Sequence, residues 1–353
     1  MRCSARWPWW ASADAPSTAD CDGPGGIQSG RDLRGAGVGG VRARVAPVVA
    51  SGRTRRRRTG PALRGVVSGP SQARTVGGPP VTHVPAEISR SWLLVSGRHS
   101  EQFDRAVRTR ADQVVLDIED AVDPQHKAEA RGDVVRWLED GSAWVRINDR
   151  SSPFWEEDVD ALAEVSGLEG VVLAKAEAPE QVTETAERLG GSTPVIALVE
   201  SALGIEEAVS IARARGAFRL AFGSGDYRRD TGTSSDDLAM AYPRSRLVVA
   251  SRIGDLPGPI DGPTVGSSHP ILREQSTTAV SLGMTGKLCL DIDQLSVINE
   301  TISPTPSDVE WARDFLADFA DRGGVIRDGS DLPRLGRARK IEHLASAFGI
   351  DPA

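Results

Sequence analysis

The sequence of 353 residues is poor in cysteine, in aromatic residues and in long apolar runs. Its three cysteines (Cys3, Cys21, Cys289) are widely separated, which excludes a disulfide framework and a clustered zinc site. Because this usage is typical of a reducing compartment, we expect a cytoplasmic protein. No apolar run approaches the roughly 18 residues of a membrane helix, so we expect no membrane partner.

Residues 1–86 lack lysine and glutamate, and their 13 arginines and 4 aspartates give a charge of +9. The whole chain carries -7, so residues 87–353 carry -7 minus 9, or -16. We therefore expect no nucleic-acid partner for the acidic part, although the arginines at 55–58 could bind an anionic polymer. With 14 of the 37 glycines and 9 of the 22 prolines, the first segment is predicted to be a disordered basic tail. A dispensable tail or an upstream misassigned start codon explains it better than a transit peptide does.

From residue 87 onwards, short β-branched apolar runs alternate with amphipathic stretches. Eight runs begin roughly 20 to 30 residues apart, the length of one strand, turn and helix. This pattern predicts a (β/α)8 TIM barrel over residues 87–323, followed by a C-terminal helical extension over 324–353. No G-x-G-x-x-G motif opens a helix after the first strand, which argues against a dinucleotide-binding sheet. The predicted strands are 92–95, 113–118, 143–148, 170–174, 194–199, 218–222, a weak strand near 258–265, and 287–292. Clear helical patterns cover 100–110, 179–189 and 202–215.

Polar residues follow several predicted strands, at the end of a barrel where active sites lie. They are Asp117, Glu119 and Asp120 after strand two, Arg146 and Asn148 after strand three, Glu200 after strand five and Asp226 after strand six.

Two of these acids, Glu200 and Asp226, are candidate ligands of one hard cation. Carboxylates without histidine or cysteine favour Mg²⁺, with water and substrate oxygens completing the octahedron. The alternative is that each acid caps the helix that follows it. Arg146 needs an anionic partner at a strand end, either a substrate carboxylate or the acids of strand two.

Nine collinear stretches that contain these residues resemble the HpcH/HpaI aldolase and citrate lyase β-subunit family, over about residues 88–348. They are RSWLLVSGRHSEQFDRA (90–106), VVLDIEDAVDPQHKAEAR (114–131), WVRIND (144–149), VVLAKAE (171–177), ALVESALGI (197–205), FGSGDYRRDTG (222–232), YPRSRLVVASR (242–252), LGMTGKLCLDIDQLSVIN (282–299) and DGSDLPRLGRARKI (328–341).

The resemblance implies a Mg²⁺-dependent barrel enzyme that cleaves or forms a 3-hydroxyacyl-CoA thioester of the citryl, malyl or citramalyl type. It implies that Glu200 and Asp226 bind the metal, that Arg146 and Glu200 bind substrate, and that Lys175 lies near the path of CoA. It also implies that Asp331 is the acid/base residue, delivered from a neighbouring subunit of a trimer or a multiple of it. From the sequence itself, Asp331 could equally be the N-cap of the last helix.

The sequence departs from the family pattern at the end of strand eight, where Leu290, Asp291 and Ile292 replace the usual Ile-His-Pro. This departure leaves two alternatives open. One is a metal-dependent aldolase that acts on free keto acids without CoA. The other is a barrel that serves as a non-catalytic, ligand-binding subunit.

Overall fold

The structure, a computed structural model, describes residues 84–266 and 268–352. The predictions for the tail before Val84 therefore lie outside the described residues. Within the described part, eight parallel strands close into a barrel in chain order, with β1 also pairing with β8. The strands are β1 Ser91–Ser96, β2 Gln113–Asp117, β3 Ala143–Ile147, β4 Leu168–Leu173, β5 Val195–Val199, β6 Ala217–Phe222, β7 Ile260–Asp261 and β8 Gly286–Cys289. The predicted (β/α)8 barrel is confirmed.

Helices follow the strands and cover the outside of the barrel. They are α1 Phe103–Ala106, α2 Lys127–Trp137, α3 Trp155–Leu162, α4 Pro179–Arg188, α5 Ala202–Glu206, α6 Ala208–Ala212, α7 Ser224–Thr231, α8 Asp237–Ile253, α9 His269–Ser281, α10 Leu295–Ile302, α11 Pro306–Asp321 and α12 Asp331–Phe348. Short 3-10 helices cover Ser100–Gln102, Pro124–His126 and Ile292–Gln294.

Most element boundaries differ from the sequence prediction by one or more residues, and the helix predicted over 100–110 is a 3-10 helix followed by the short α1. Two of the differences have clear local causes. The helix predicted over 202–215 is broken into α5 and α6, because the backbone at Glu207 leaves the helical region at φ -82° and ψ 2°. The eighth strand ends at Cys289 rather than at residue 292, since the Asp291 side chain accepts the N–H of Asp293 and starts a 3-10 turn there. This carboxylate therefore acts as a cap at the end of the barrel strand.

Strand side chains alternate between the barrel interior and the helix layer, which is why the strands are apolar on both faces. The interior contains Trp92 and Trp144, whose rings meet edge to face with centroids 5.3 Å apart. Phe218 stacks on Trp144 at 5.5 Å. The Trp144 indole N–H donates to Gln113 Oε1 at 3.0 Å, so this large ring is buried with its polar atom satisfied.

The amino-terminal ends of the strands form the base of the barrel, and Arg219 closes it. Its guanidinium is fully buried and donates to the carbonyl oxygens of Ala86, Ser89 and Gly258 and to the hydroxyl of Thr285. Burial without a contacting carboxylate lowers the pKa of Arg219 to about 9. These bonds attach the segment before β1 to the base.

The predicted extension over 324–353 contains α12, which packs against α11, so the extension in the structure is a helical hairpin from Pro306 to Phe348. Apolar residues on the facing sides form its own small core: Val309, Ala312, Ala338, Ile341 and Ala345. At the end of α12, the Phe348 ring lies under the guanidinium of Arg90, 3.9 Å from ring centroid to Cζ. Arg90 directly precedes β1, so α12 ends at the base of the barrel. In the described residues, no helix is both long and apolar enough to cross a membrane.

Candidate active site

The register of β2 and β3 places Arg146 directly beside Asp117 at the carboxyl ends of these strands. The guanidinium donates from Nε to Asp117 Oδ1 at 2.8 Å and from Nη2 to Oδ2 at 2.5 Å. Its Nη1 lies 3.3 Å from Glu119 Oε2. Burial opposes the charge of Arg146, but Asp117 and Glu119 outweigh it and raise its pKa. The acids of strand two are therefore the intramolecular partners of this arginine.

Lys175 lies at the end of β4 and contacts the same acids from the other side. Its Nζ is 2.5 Å from Glu119 Oε1 and 3.5 Å from Asp120 Oδ1. Although burial opposes the charge, the hydrogen bond with Glu119 raises the pKa of Lys175. Glu119 is thus held between two cations, Lys175 and Arg146.

Lys175 also contacts Glu200 through its main chain. Its N–H donates to Glu200 Oε1 at 2.9 Å, and its backbone has φ +50°, in the left-handed region that favours glycine. Glu200 is 4% exposed, and burial together with the charges of Asp226 and Glu119 raises its pKa to about 8. A carboxyl group with so high a pKa needs an added positive charge to be ionised at neutral pH.

Asp226 lies in the first turn of α7, at the end of β6, and its Oδ1 pairs with Arg229 at 2.9 Å. The glycine before α7, Gly223, makes room for Glu200. A Cβ at Gly223 would lie 2.2 Å from Glu200 Oε2. The chain therefore needs glycine at this position for the two carboxylates to share the site.

The alternative of helix capping does not account for these acids. Ser201 caps α5, since its Oγ accepts the N–H of Gly204 at 3.1 Å, and the residue that caps α7 is Gly223. Neither Glu200 nor Asp226 is therefore a cap residue, and the two carboxyl groups lie near enough for the charge of Asp226 to raise the pKa of Glu200. Within the described residues no cluster of three or more His, Cys, Asp or Glu side chains forms a metal-ligand set. Two carboxylates with water and substrate oxygens are nevertheless a donor set that suits Mg²⁺, so the residues present fit the ion.

Two buried networks lie beside the site, and neither was predicted from the sequence. The Lys127 ammonium donates to the carbonyls of Ile118 and Glu119 and to Asn148 Oδ1, at 2.7 to 2.9 Å. Asn148 in turn donates to Asp158. This candidate residue therefore belongs to the buried network that holds the loop after β2, and not to the open site. The other network consists of Asp261, which pairs with Lys287 at 2.8 Å and with Arg244 at 2.9 Å.

Asp331 is not brought to this site within its own chain. It is the first residue of α12, and the cap position is Ser330. Its carboxylate accepts the N–H of Arg327 at 2.8 Å and pairs with Arg322 at 3.3 Å, and these bonds lower its pKa to about 2. All the hydrogen bonds and ion pairs that Asp331 makes with the described residues stay inside the extension.

The closed parallel barrel and the charged cluster at the carboxyl ends of its strands define a (β/α)8-barrel enzyme. The model of the HpcH/HpaI aldolase/citrate lyase family matches residues 90–291, and that of the HpcH/HpaI aldolase C-terminal domain matches residues 307–349. The chain therefore belongs to the HpcH/HpaI aldolase/citrate lyase family of carbon–carbon lyases, as the resemblance predicted.

Named relatives agree with this assignment. Mitochondrial citramalyl-CoA lyase of Homo sapiens is 29% identical over 293 residues, which cover 73% of this chain and 86% of that protein. L-malyl-CoA/β-methylmalyl-CoA lyase of Cereibacter sphaeroides is 27% identical and covers 66% of this chain and 85% of its own length. The crystal structure of CitE of Mycobacterium tuberculosis, in complex with magnesium, acetoacetate and coenzyme A, is 27% identical with a TM-score of 0.62. It covers 74% of this chain and 99% of the CitE chain.

Proposed function

We propose that this chain is a Mg²⁺-dependent lyase that cleaves, or in reverse forms, a 3-hydroxyacyl-CoA thioester of the citryl, malyl or citramalyl type. The single observation that carries the proposal is the pair Glu200 and Asp226, two neighbouring carboxylates at the carboxyl ends of β5 and β6. The names of the relatives, two CoA-ester lyases and a CitE bound to magnesium and coenzyme A, support the thioester and the ion.

Glu200 and Asp226 would hold the ion, which when bound supplies positive charge to the oxygen atoms of the keto-acid half of the substrate. A bound cation would favour the ionised form of Glu200. Without a cation, the pKa of about 8 keeps this carboxyl group largely protonated at neutral pH. Because the main-chain N–H of Lys175 binds Oε1 of Glu200, the carboxylate keeps one fixed orientation towards the site.

Arg146 would bind the carboxylate of the keto-acid half. Two of its N–H groups bind Asp117, and its planar fork is held in place by that bidentate pair. Its Nη1 lies 3.3 Å from Glu119 Oε2, and the side chain is 14% exposed, so part of the guanidinium is open to a bound anion. Fixed geometry of this kind would hold the keto-acid half in place while negative charge develops on the thioester enolate.

The reaction breaks the bond between the hydroxyl-bearing carbon and the carbon next to the thioester carbonyl. A base removes the hydroxyl proton, the oxygen becomes the carbonyl of the keto acid, and the bonding electrons pass to the thioester enolate. Protonation of that carbon gives acyl-CoA. We propose Asp331 as the acid/base group: its ionised carboxylate takes the proton from the hydroxyl group and then delivers it to this carbon.

Asp331 would then act in a neighbouring subunit of a trimer or a multiple of it. In its own chain, the Asp331 carboxylate binds Arg322 and Arg327, and none of its hydrogen bonds or ion pairs with the described residues involves Arg146, Glu200 or Asp226. The tip of the hairpin is exposed and apolar at Val325 and Ile326, as expected of a segment that contacts another subunit.

Cleavage of malyl-, citramalyl- and citryl-CoA by the full chain, with and without Mg²⁺, tests the activity through release of the keto acid. Glu200→Gln and Asp226→Asn should abolish Mg²⁺-dependent cleavage. The matched control is Glu164→Gln, an exposed acid between α3 and β4 at the other end of the barrel. The metal assignment would be contradicted if the two site variants kept wild-type cleavage, or if the control variant alone lost it.

The same assay separates the alternatives. Cleavage of free hydroxy-keto acids alone would indicate an aldolase, and binding of CoA esters without turnover would indicate a ligand-binding subunit. Mixing Glu200→Gln with Asp331→Asn subunits tests the contribution in trans. Mixed oligomers should regain activity, whereas each variant alone is inactive; no recovery would place Asp331 outside the neighbour's site.

A further inference from the structure

Lys175 is unusual because a single residue contacts two different parts of the site by two different groups. Its main-chain N–H binds Glu200 Oε1 at 2.9 Å, and its Nζ binds Glu119 Oε1 at 2.5 Å. Glu119 Oε2 in turn lies 3.3 Å from Arg146 Nη1. The candidate metal carboxylate and the candidate substrate arginine are therefore connected through Lys175.

The backbone of Lys175 is strained, and the strain serves the contact with Glu200. Its φ of +50° is a left-handed conformation, in which the Cβ of an L-residue is crowded by the following carbonyl oxygen. In the described residues, Asp255 is the other non-glycine residue with a positive φ, and it lies in an exposed turn after α8. At Lys175 the conformation directs the peptide N–H towards a carboxylate that is 4% exposed, where its hydrogen bond is not replaced by water.

The side chain of Lys175 has a separate task. Glu119 is buried, and without the Lys175 ammonium the cations left near its charge are Arg146 and Lys127. Lys127 is already bound to two main-chain carbonyls and to Asn148. Arg146 would then be drawn towards Glu119 and away from the open end of the site. The ammonium thus keeps Arg146 available to an incoming anion.

We propose that Lys175 is a positioning residue with two separable functions, in which its left-handed main chain orients Glu200 for Mg²⁺ and its ammonium, through Glu119, orients Arg146 for the substrate carboxylate. This inference rests on the proposed function. Orientation of Glu200 should be kept by any residue that tolerates a positive φ at position 175, whereas orientation of Arg146 should need a cationic side chain there.

The test compares variants of the full chain that all lack the ammonium. Lys175→Gly and Lys175→Asn tolerate φ +50°, whereas Lys175→Val does not, because a β-branched residue is excluded from that region. Calorimetric titration with Mg²⁺ should give dissociation constants within about twofold of wild type for Gly and Asn, and at least about tenfold weaker for Val. Thermal unfolding verifies that each variant is folded, and Lys175→Ala, with an intermediate cost, replaces the Val variant if that one does not fold.

Thioester cleavage supplies the second readout. The Gly and Asn variants should lose about tenfold or more in kcat/KM, the equivalent of one charge-assisted hydrogen bond, at saturating Mg²⁺. Lys175→Arg, which restores a cation, should recover part of the loss. A purely structural lysine would shift stability without separating Mg²⁺ affinity from kcat/KM.

The outcomes distinguish the inference from the function on which it rests. If wild type binds Mg²⁺ but the Gly and Val variants bind it equally well, the main-chain function is wrong. If the Gly variant keeps wild-type kcat/KM, the ammonium function is wrong. If wild type binds no Mg²⁺, the metal assignment of Glu200 fails and the inference falls with it.

Discussion

The raised pKa of Glu200 predicts that Mg²⁺ binds more tightly as the pH rises. Burial, Asp226 and Glu119 raise this pKa to about 8, so below pH 8 the ion must displace a proton from the carboxyl group. With one competing proton, the apparent dissociation constant for Mg²⁺ at pH 6 is about 100-fold larger than its limiting value at high pH, and at pH 9 it is close to that value. The dissociation constant is therefore expected to decrease about tenfold per pH unit below about pH 7 and to become constant above the pKa.

Calorimetric titration of the full chain with Mg²⁺ at pH 6, 7, 8 and 9 measures this dependence. Repeating each titration in two buffers of different ionisation enthalpy gives the number of protons released per ion. We expect about one proton at pH 6 and close to none at pH 9. A dissociation constant that is flat from pH 6 to 9, or no proton release at pH 6, would refute the coupling between Glu200 and the ion.

Three further predictions concern the same end of the barrel. Gly223→Ala should abolish Mg²⁺ binding in calorimetry, because its Cβ would lie 2.2 Å from Glu200 Oε2; Gly225→Ala, whose Cβ would meet no atom within 4 Å, should bind like wild type. Without metal, the free energy of urea unfolding of wild type should decrease as the pH rises from about 5 to 8, by up to about 5 kcal/mol, because the unfolded state releases the Glu200 proton at lower pH. Glu200→Gln should lack this fall, and an equal fall would place its cause elsewhere. Lys127→Met should lower the free energy of unfolding by about 3 kcal/mol in the same assay. The reason is that three acceptors, Asn148 Oδ1 among them, lose their donor. A change below about 0.5 kcal/mol would show that water replaces the ammonium group.

The barrel was predictable because its physical causes are local. Strands that are apolar on both faces and recur with the length of a strand–helix unit admit few other arrangements. Glu200 and Asp226 were predictable for the same reason, since a charged residue directly after such a strand has no packing role. The need for glycine at position 223 was not predictable, because it follows only from the three-dimensional contact between Gly223 and the Glu200 side chain.

Other parts of the site were not predictable from local sequence. An acid of strand two was one of the two predicted partners of Arg146, but its identity as Asp117, 29 residues away, depends on the register between β2 and β3, which is set by the closed barrel. Nothing in the composition around Lys175 indicates a left-handed backbone, since lysine rarely adopts it. The burial of the Lys127 ammonium depends on carbonyl oxygens that converge only when the loop after β2 is folded.

The two tryptophans in the barrel interior give the protein an optical reporter. Trp92 and Trp144 come from β1 and β3, and the edge-to-face contact of their indoles at 5.3 Å exists only while these strands keep their places in the barrel. Fixed aromatic packing of this kind produces near-ultraviolet circular dichroism, which disappears when a protein keeps its secondary structure but loses specific packing. The signal therefore follows closure of the barrel, and it can show whether a variant at the carboxyl ends of the strands has altered the chemistry alone or the scaffold as well.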